Sequence, residues 1–135
     1  MRKALSALAV VGTAAGALTF AAGPASADPG SSYCGSGYRT VDSHTLYGGS
    51  NSATIYLTYN SGNGYNCTVT VLNNPGYRYY LSTFVQTGSA RDSDSGEFSR
   101  YAGPTYVYGR NQCVKWGGQL DVDPGTYWES PWHHC

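Results

Sequence analysis

Between Thr54 and Leu72 two alternating runs flank the turn-forming stretch Asn60-Ser61-Gly62-Asn63-Gly64, with Cys67 on the second run. No other part of the chain restricts the fold as much, because alternation around a Gly/Asn turn specifies a β-hairpin. On the first arm Ile55, Leu57 and Tyr59 share a face; on the second, Cys67, Val69 and Val71 do. Residues directly opposite in an antiparallel pair point to the same side. Matching the apolar faces therefore predicts a loop of three residues, Gly62–Gly64, or five, Asn60–Gly64; a loop of four would need a bulge. Thr54, Tyr56, Thr58, Thr68 and Thr70 make the other, hydroxyl-rich face.

Further strands are predicted on both sides of the hairpin. Arg39–Leu46 alternates around Val41, and Tyr47-Gly48-Gly49-Ser50-Asn51-Ser52 is a turn. Arg78–Thr87 carries large groups on both faces, as a central covered strand does. Gly88–Gly96 is the most hydrophilic stretch and reads as a mobile loop. Phe98–Ala102 and Thr105–Gly109 read as two short strands bent at Gly103-Pro104. Gln112–Asp121 brings in Cys113, Val114 and Trp116, and from Val122 the tail reads as irregular. No segment has a 3.6-residue apolar period. The expected fold is all-β: a disulfide-stabilised β-sandwich or barrel of six to eight short antiparallel strands, with a double Greek key as a variant.

The cysteines place this domain in an oxidising compartment. Residues 1–27 have the layout of a secretory signal: Arg2 and Lys3, an apolar run from Ala4 to Phe20, then Ala25-Ser26-Ala27 for cleavage after Ala27. A membrane anchor is the competing reading, opposed by Gly12, Gly16, Gly23 and Pro24 within or just after the run. Residues 28–33 are expected as a loose lead-in and 34–135 as one β-rich domain. All four cysteines, Cys34, Cys67, Cys113 and Cys135, lie beyond the cleavage point, which favours disulfides over a zinc site lacking any C-x-x-C pair. Three pairings are open; closing local loops favours Cys34–Cys67 with Cys113–Cys135. Arg2 and Lys3 leave with the signal, so six basic residues face eight acidic ones, and no basic patch is available for nucleic acid. No membrane span follows the signal, and no cofactor motif is present.

The chemistry-bearing residues form no catalytic set. In a strand Asp42 and His44 share a face while Ser43 points away, so Asp42-Ser43-His44 is no local triad. Among Asp42, Asp92, Asp94, Glu97, Asp121, Asp123 and Glu129 no carboxylate pair suggests a glycosidase. Asp92-Ser93-Asp94-Ser95-Gly96-Glu97 lacks the remaining ligands of a calcium loop. His133-His134 is a metal candidate, opposed by the divergence of adjacent side chains in an extended tail. Asn66-Cys67-Thr68 matches a glycosylation acceptor by coincidence. The aromatic tail holds the candidate ligand contacts, Tyr127, Trp128 and Trp132, whose competing role is to fill the core beside Trp116.

Cys34-Gly35-Ser36-Gly37-Tyr38, Ile55-Tyr56-Leu57-Thr58-Tyr59-Asn60, Asn66-Cys67-Thr68-Val69-Thr70, Tyr101-Ala102-Gly103-Pro104, Cys113-Val114-x-Trp116-Gly117-Gly118 and His134-Cys135 resemble the spore-associated protein A family of filamentous actinobacteria. That resemblance implies a small exported protein found with spores or the cell surface, and it carries over no catalytic residue. The expected function is a non-enzymatic coat or adhesion component at the spore or cell wall. A carbohydrate-binding module for wall or extracellular polysaccharide is the alternative, a small inhibitor or toxin-like effector a further one, and a small hydrolase comes last.

Overall fold

A computed structural model describes residues 27–122 and 125–135. The expected export signal, but for its last residue, lies outside the described residues. Eight strands are present among them: β1 (Tyr38–Tyr47), β2 (Ser52–Asn60), β3 (Tyr65–Leu72), β4 (Tyr79–Gln86), β5 (Arg91–Phe98), β6 (Tyr101–Tyr108), β7 (Lys115–Asp121) and β8 (Thr126–Glu129). They form two four-stranded antiparallel sheets, ordered β1-β2-β3-β6 and β5-β4-β7-β8. The sheets face each other across one core that includes Leu46, Ile55, Leu57, Leu81, Val85 and Trp116. The fold is all-β, with β6 facing β5 on one open side and β1 facing β8 on the other.

The hairpin is present, but its register corrects the expectation. Ile55 pairs with Thr70 and Leu57 with Thr68, while Thr58 pairs with Cys67 and Tyr56 with Val69. The loop is therefore Ser61–Gly64, four residues, closed by Gly64 N–H donating to Asn60 C=O (2.8 Å). Gly64 takes φ +78, and the Asn60 and Asn63 side chains accept from Gly62 and Tyr65 N–H (2.9 and 3.0 Å). This register puts Thr68 and Thr70 into the core beside Ile55 and Leu57, and turns Cys67 and Val69 outward. Apolar matching fails here because the outward face is buried too: Cys67 and Val69 are both 0% exposed. A single helical turn, Gly30–Cys34, lies over them, tied by the Cys34–Cys67 disulfide and by Tyr106 Oη–H donating to Cys34 C=O (2.9 Å).

Residues 28–33 are accordingly pinned rather than loose. Asp28 Oδ1 accepts from Gly30 N–H, Thr40 N–H and Thr40 Oγ1 at 2.7, 3.0 and 2.9 Å. Burial pushes the Asp28 carboxyl up, but these bonds and the Arg39 charge outweigh it and hold it below its ordinary value.

Three more expectations change. The hydrophilic stretch is strand β5, not a mobile loop; it sits at a sheet edge and alternates exposed with half-buried. Its inward Asp92 and Asp94 accept from Tyr106 and Gly103 N–H of β6, at 2.9 and 2.8 Å. Charged residues pointing inward from an edge strand keep that edge from pairing with another chain. The two short strands around Gly103-Pro104 are one strand, β6, whose pairing with β3 shifts register between Thr68 and Thr70. The tail forms β8 and then runs on beside β7, through Ser130 N–H to Trp116 C=O (2.8 Å) and a Val114–His133 bridge. β4 is central in its sheet, with Phe84 on the outer side buried beneath the Arg91 guanidinium, 4.1 Å from the ring centroid.

Candidate functional site

The second open side is closed by side chains from β1 and the tail. β1 carries a bulge at Val41: Thr40 pairs with Thr58 and Asp42 with the next residue, Leu57. The extra residue re-aims the rest of the strand, so Asp42, His44 and Leu46 point inward while Ser43 stays outside. His44 stacks on Trp128 (centroids 4.0 Å, planes 8° apart), and Trp128 meets Trp116 edge-on at 4.9 Å. Trp116 is fully buried.

His133 and His134 do not diverge, which corrects the expectation of an extended tail. His134 has φ +56, and this left-handed turn brings its ring to 4.1 Å from that of His133. Both approach Asp42 Oδ2, His134 through Nε2 at 3.3 Å and His133 through Nδ1 at 3.9 Å. The Cys113–Cys135 disulfide fixes the tail immediately beyond them.

Asp42, His133 and His134 each offer a metal-ligating atom within 4.8 Å of the others, so fit to a metal ion is decided by the donor set. Trp116 Nε1–H, which can only donate, gives its hydrogen bond to His133 Nε2 at 2.7 Å. Neutral His133 therefore carries its proton on Nδ1, the atom facing Asp42. Ligation through Nδ1 would move that proton to Nε2, against the indole N–H. The donor set does not suit a three-ligand metal site; it suits a chain of contacts from Trp116 through His133 to Asp42 and His134, hydrogen-bonded at Trp116–His133 and at Asp42–His134 and closed by the 3.9 Å approach of His133 Nδ1 to Asp42. Burial first, and then the neighbouring His134, hold the His133 imidazole below its ordinary value, with Asp42 acting against both.

Beside this chain lies a cleft of about 250 Å³ lined by Val41, Tyr59, Asn66, Asn111 and His134, with Gly109 and Cys135. Asn66 is nearly buried and its Nδ2 donates to Thr58 C=O at 3.0 Å, so it is no accessible glycosylation acceptor. Asn111 takes φ +58 in the β6–β7 connection. Of these cleft residues the sequence marks His134 as a metal candidate, Asn66 through its glycosylation-acceptor pattern and Cys135 as a disulfide cysteine, and it gives no chemical role to Val41, Tyr59, Gly109 or Asn111. The legible signal is Gly109-Arg110-Asn111-Gln112, a turn in which Asn is a residue type that tolerates the left-handed region.

The three tail aromatics are separated. Trp128 is half-buried between His44 and Trp116, whereas Tyr127 and Trp132 are 56% and 45% exposed. Tyr127 Oη–H donates to Glu129 Oε2 (2.9 Å), and Lys115 Nζ lies 5.3 Å from the Trp132 ring centroid. Tyr127 therefore lies on the outer face of the β5-β4-β7-β8 sheet, and no coplanar pair of tryptophans is formed.

No family model matches the chain, and no solved structure matches it. Among the described residues no helix is long and apolar enough to cross a membrane. Spore-associated protein A of Streptomyces coelicolor is 41% identical over 121 residues, covering 86% of this chain and 77% of that protein. By that identity and coverage, this chain belongs to the spore-associated protein A family.

Proposed function

We propose that the protein is an exported, non-enzymatic domain that attaches to the spore or cell-wall surface and serves there as a coat or adhesion component. The observation carrying this reading is its kinship with a protein named for its association with spores. The two disulfides support it, since such bridges persist in oxidising compartments. Exposed Tyr47, Tyr77, Tyr108 and Tyr127 supply amphipathic contact surface on both sheets and their connections. Fractionation of a sporulating culture with an antibody to the protein tests this reading. The protein should sediment with spores or aerial growth; recovery solely from the cleared medium overturns it.

A second reading is a carbohydrate-binding module for wall or extracellular polysaccharide, favoured by the exposed rings of Tyr127 and Trp132. Retention on chitin, peptidoglycan or glucan, reduced in Trp132→Ala, is its expected signature. No retention on any polymer ends it.

A further inference from the structure

We infer that the cleft beside His134 is a binding site for one neutral pyranose ring, the terminal residue of a surface glycan. Three departures from regular backbone meet there. Val41 is the β1 bulge, and Asn111 and His134 are the two non-glycine residues with positive φ among the described residues. Bulges and left-handed non-glycine residues persist where surrounding structure holds them, and they gather at ligand sites. Elsewhere among the described residues positive φ falls only on glycine.

The chemistry of the lining selects the ligand. Asn66 Nδ2 is engaged by Thr58 C=O, so its Oδ1 is the atom left to accept from a ligand. Asp42 Oδ2 takes the Nε2 proton of neutral His134, which leaves Nδ1 as a second acceptor. The Asn111 amide both donates and accepts. Two acceptors and one amphoteric amide match vicinal hydroxyls, which donate and accept in turn. Val41 and the Tyr59 ring give apolar surface for the C–H face of a sugar. No carboxylate, ammonium or guanidinium group is among the lining side chains; the charges nearest the cleft, Arg110 and Asp42, are engaged by Tyr59 and His134, and a ligand that offers hydroxyls alone matches the lining. A volume of about 250 Å³ lies below the ~300–1,000 Å³ of drug-sized pockets, which suits one ring rather than an oligomer. This site is distinct from the Tyr127 and Trp132 surface.

The choice of a glycan rests on the surface-attachment reading. The test is titration of the ¹⁵N-labelled protein with methyl glycosides of glucose, galactose, mannose and N-acetylglucosamine, monitored by NMR. At least one should shift the side-chain amides of Asn66 and Asn111 and the ring of His134, with millimolar affinity. Asn111→Gly, which suits the left-handed backbone and keeps the fold, should weaken that binding about tenfold or more. Two outcomes overturn the inference: no shift at these groups with any sugar at about 50 mM, or equal binding by Asn111→Gly. Failure here with the protein still on spores leaves the attachment reading standing, whereas sugar binding by a protein found only in the medium removes attachment alone.

Discussion

Aspartate closes both open sides of this sandwich, but with different partners. On the β5/β6 side, Asp92 and Asp94 accept from the backbone N–H of Tyr106 and Gly103. On the β1/β8 side, Asp42 meets the imidazoles of His133 and His134, with Trp116 donating to His133 from behind. A backbone amide is fixed by its strand and donates at every pH. An imidazole changes between donor and acceptor near neutrality, and here it hangs from a tail that needs a left-handed residue and a disulfide to reach its place. One side is built as part of the sheets, the other as an attachment to them. The cleft lies on the attached side, where a binding surface can be shaped without disturbing strand pairing.

The largest expected effect comes from removing the attachment. Replacing Cys113 and Cys135 by serine opens a loop between residues 22 apart, and loop entropy alone makes that bridge worth about 3–4 kcal/mol. In urea unfolding the midpoint should fall accordingly. Hydrogen exchange should show the Trp116 indole proton and the Val114 amide losing protection first, with the Tyr106 and Gly103 amides protected until global unfolding. If the Tyr106 and Gly103 amides open first, the contrast between the two sides is wrong.

That same contrast explains what could be read from the chain. The existence of the hairpin, the central position of β4 and the all-β class follow from alternation and turn residues, which are local signals. The hairpin register does not, because alternation selects a register only when one face is wet. With the Gly30–Cys34 turn covering Cys67 and Val69, both faces are dry, and Thr68 and Thr70 take the core positions opposite Ile55 and Leu57. β5 was hidden by Asp92 and Asp94, whose charge signals solvent until β6 supplies backbone donors. The site was hidden for a related reason. Asp42 and His134 are 92 residues apart, and the φ of His134 that joins them leaves no mark in composition or periodicity.

Removing the built-in side should cost less than removing the bridge. Asp92→Ala and Asp94→Ala each leave a partly buried backbone N–H without its acceptor, a loss of about 1–3 kcal/mol. Changes of only a few tenths in both variants would show that water replaces the carboxylates and that this side is not held by them.

Thr70 lies between the two sides and serves as their control. Its Oγ1 and that of Thr83 are buried without a hydrogen-bond partner among the described residues. Exchanging an unpaired hydroxyl for a methyl group removes a desolvation cost, so Thr70→Val should stabilise by about 1 kcal/mol. It should leave the protection order of the two sides unchanged. A loss of stability would mean that the hydroxyl has a partner, such as a buried water.

The smallest effect is the sharpest test of the contrast, because its sign is fixed by the tautomer. His133 must accept at Nε2 from Trp116, and a protonated ring would donate at both nitrogens. Burial, then His134, depress its pKa in the folded chain from an ordinary 6.5. A depressed pKa means that the unfolded chain binds the extra proton first as pH falls. The contribution is therefore complete above about 6.5 and is lost as pH falls through the lower folded-state value. Urea midpoints between about pH 7.5 and 5 should decline with acid in the native protein and more shallowly in His133→Phe. Thr70→Val, which removes no titratable group, should keep the native slope. An identical slope in His133→Phe, or a native midpoint that rises with acid, would show that the attached side does not read pH through His133.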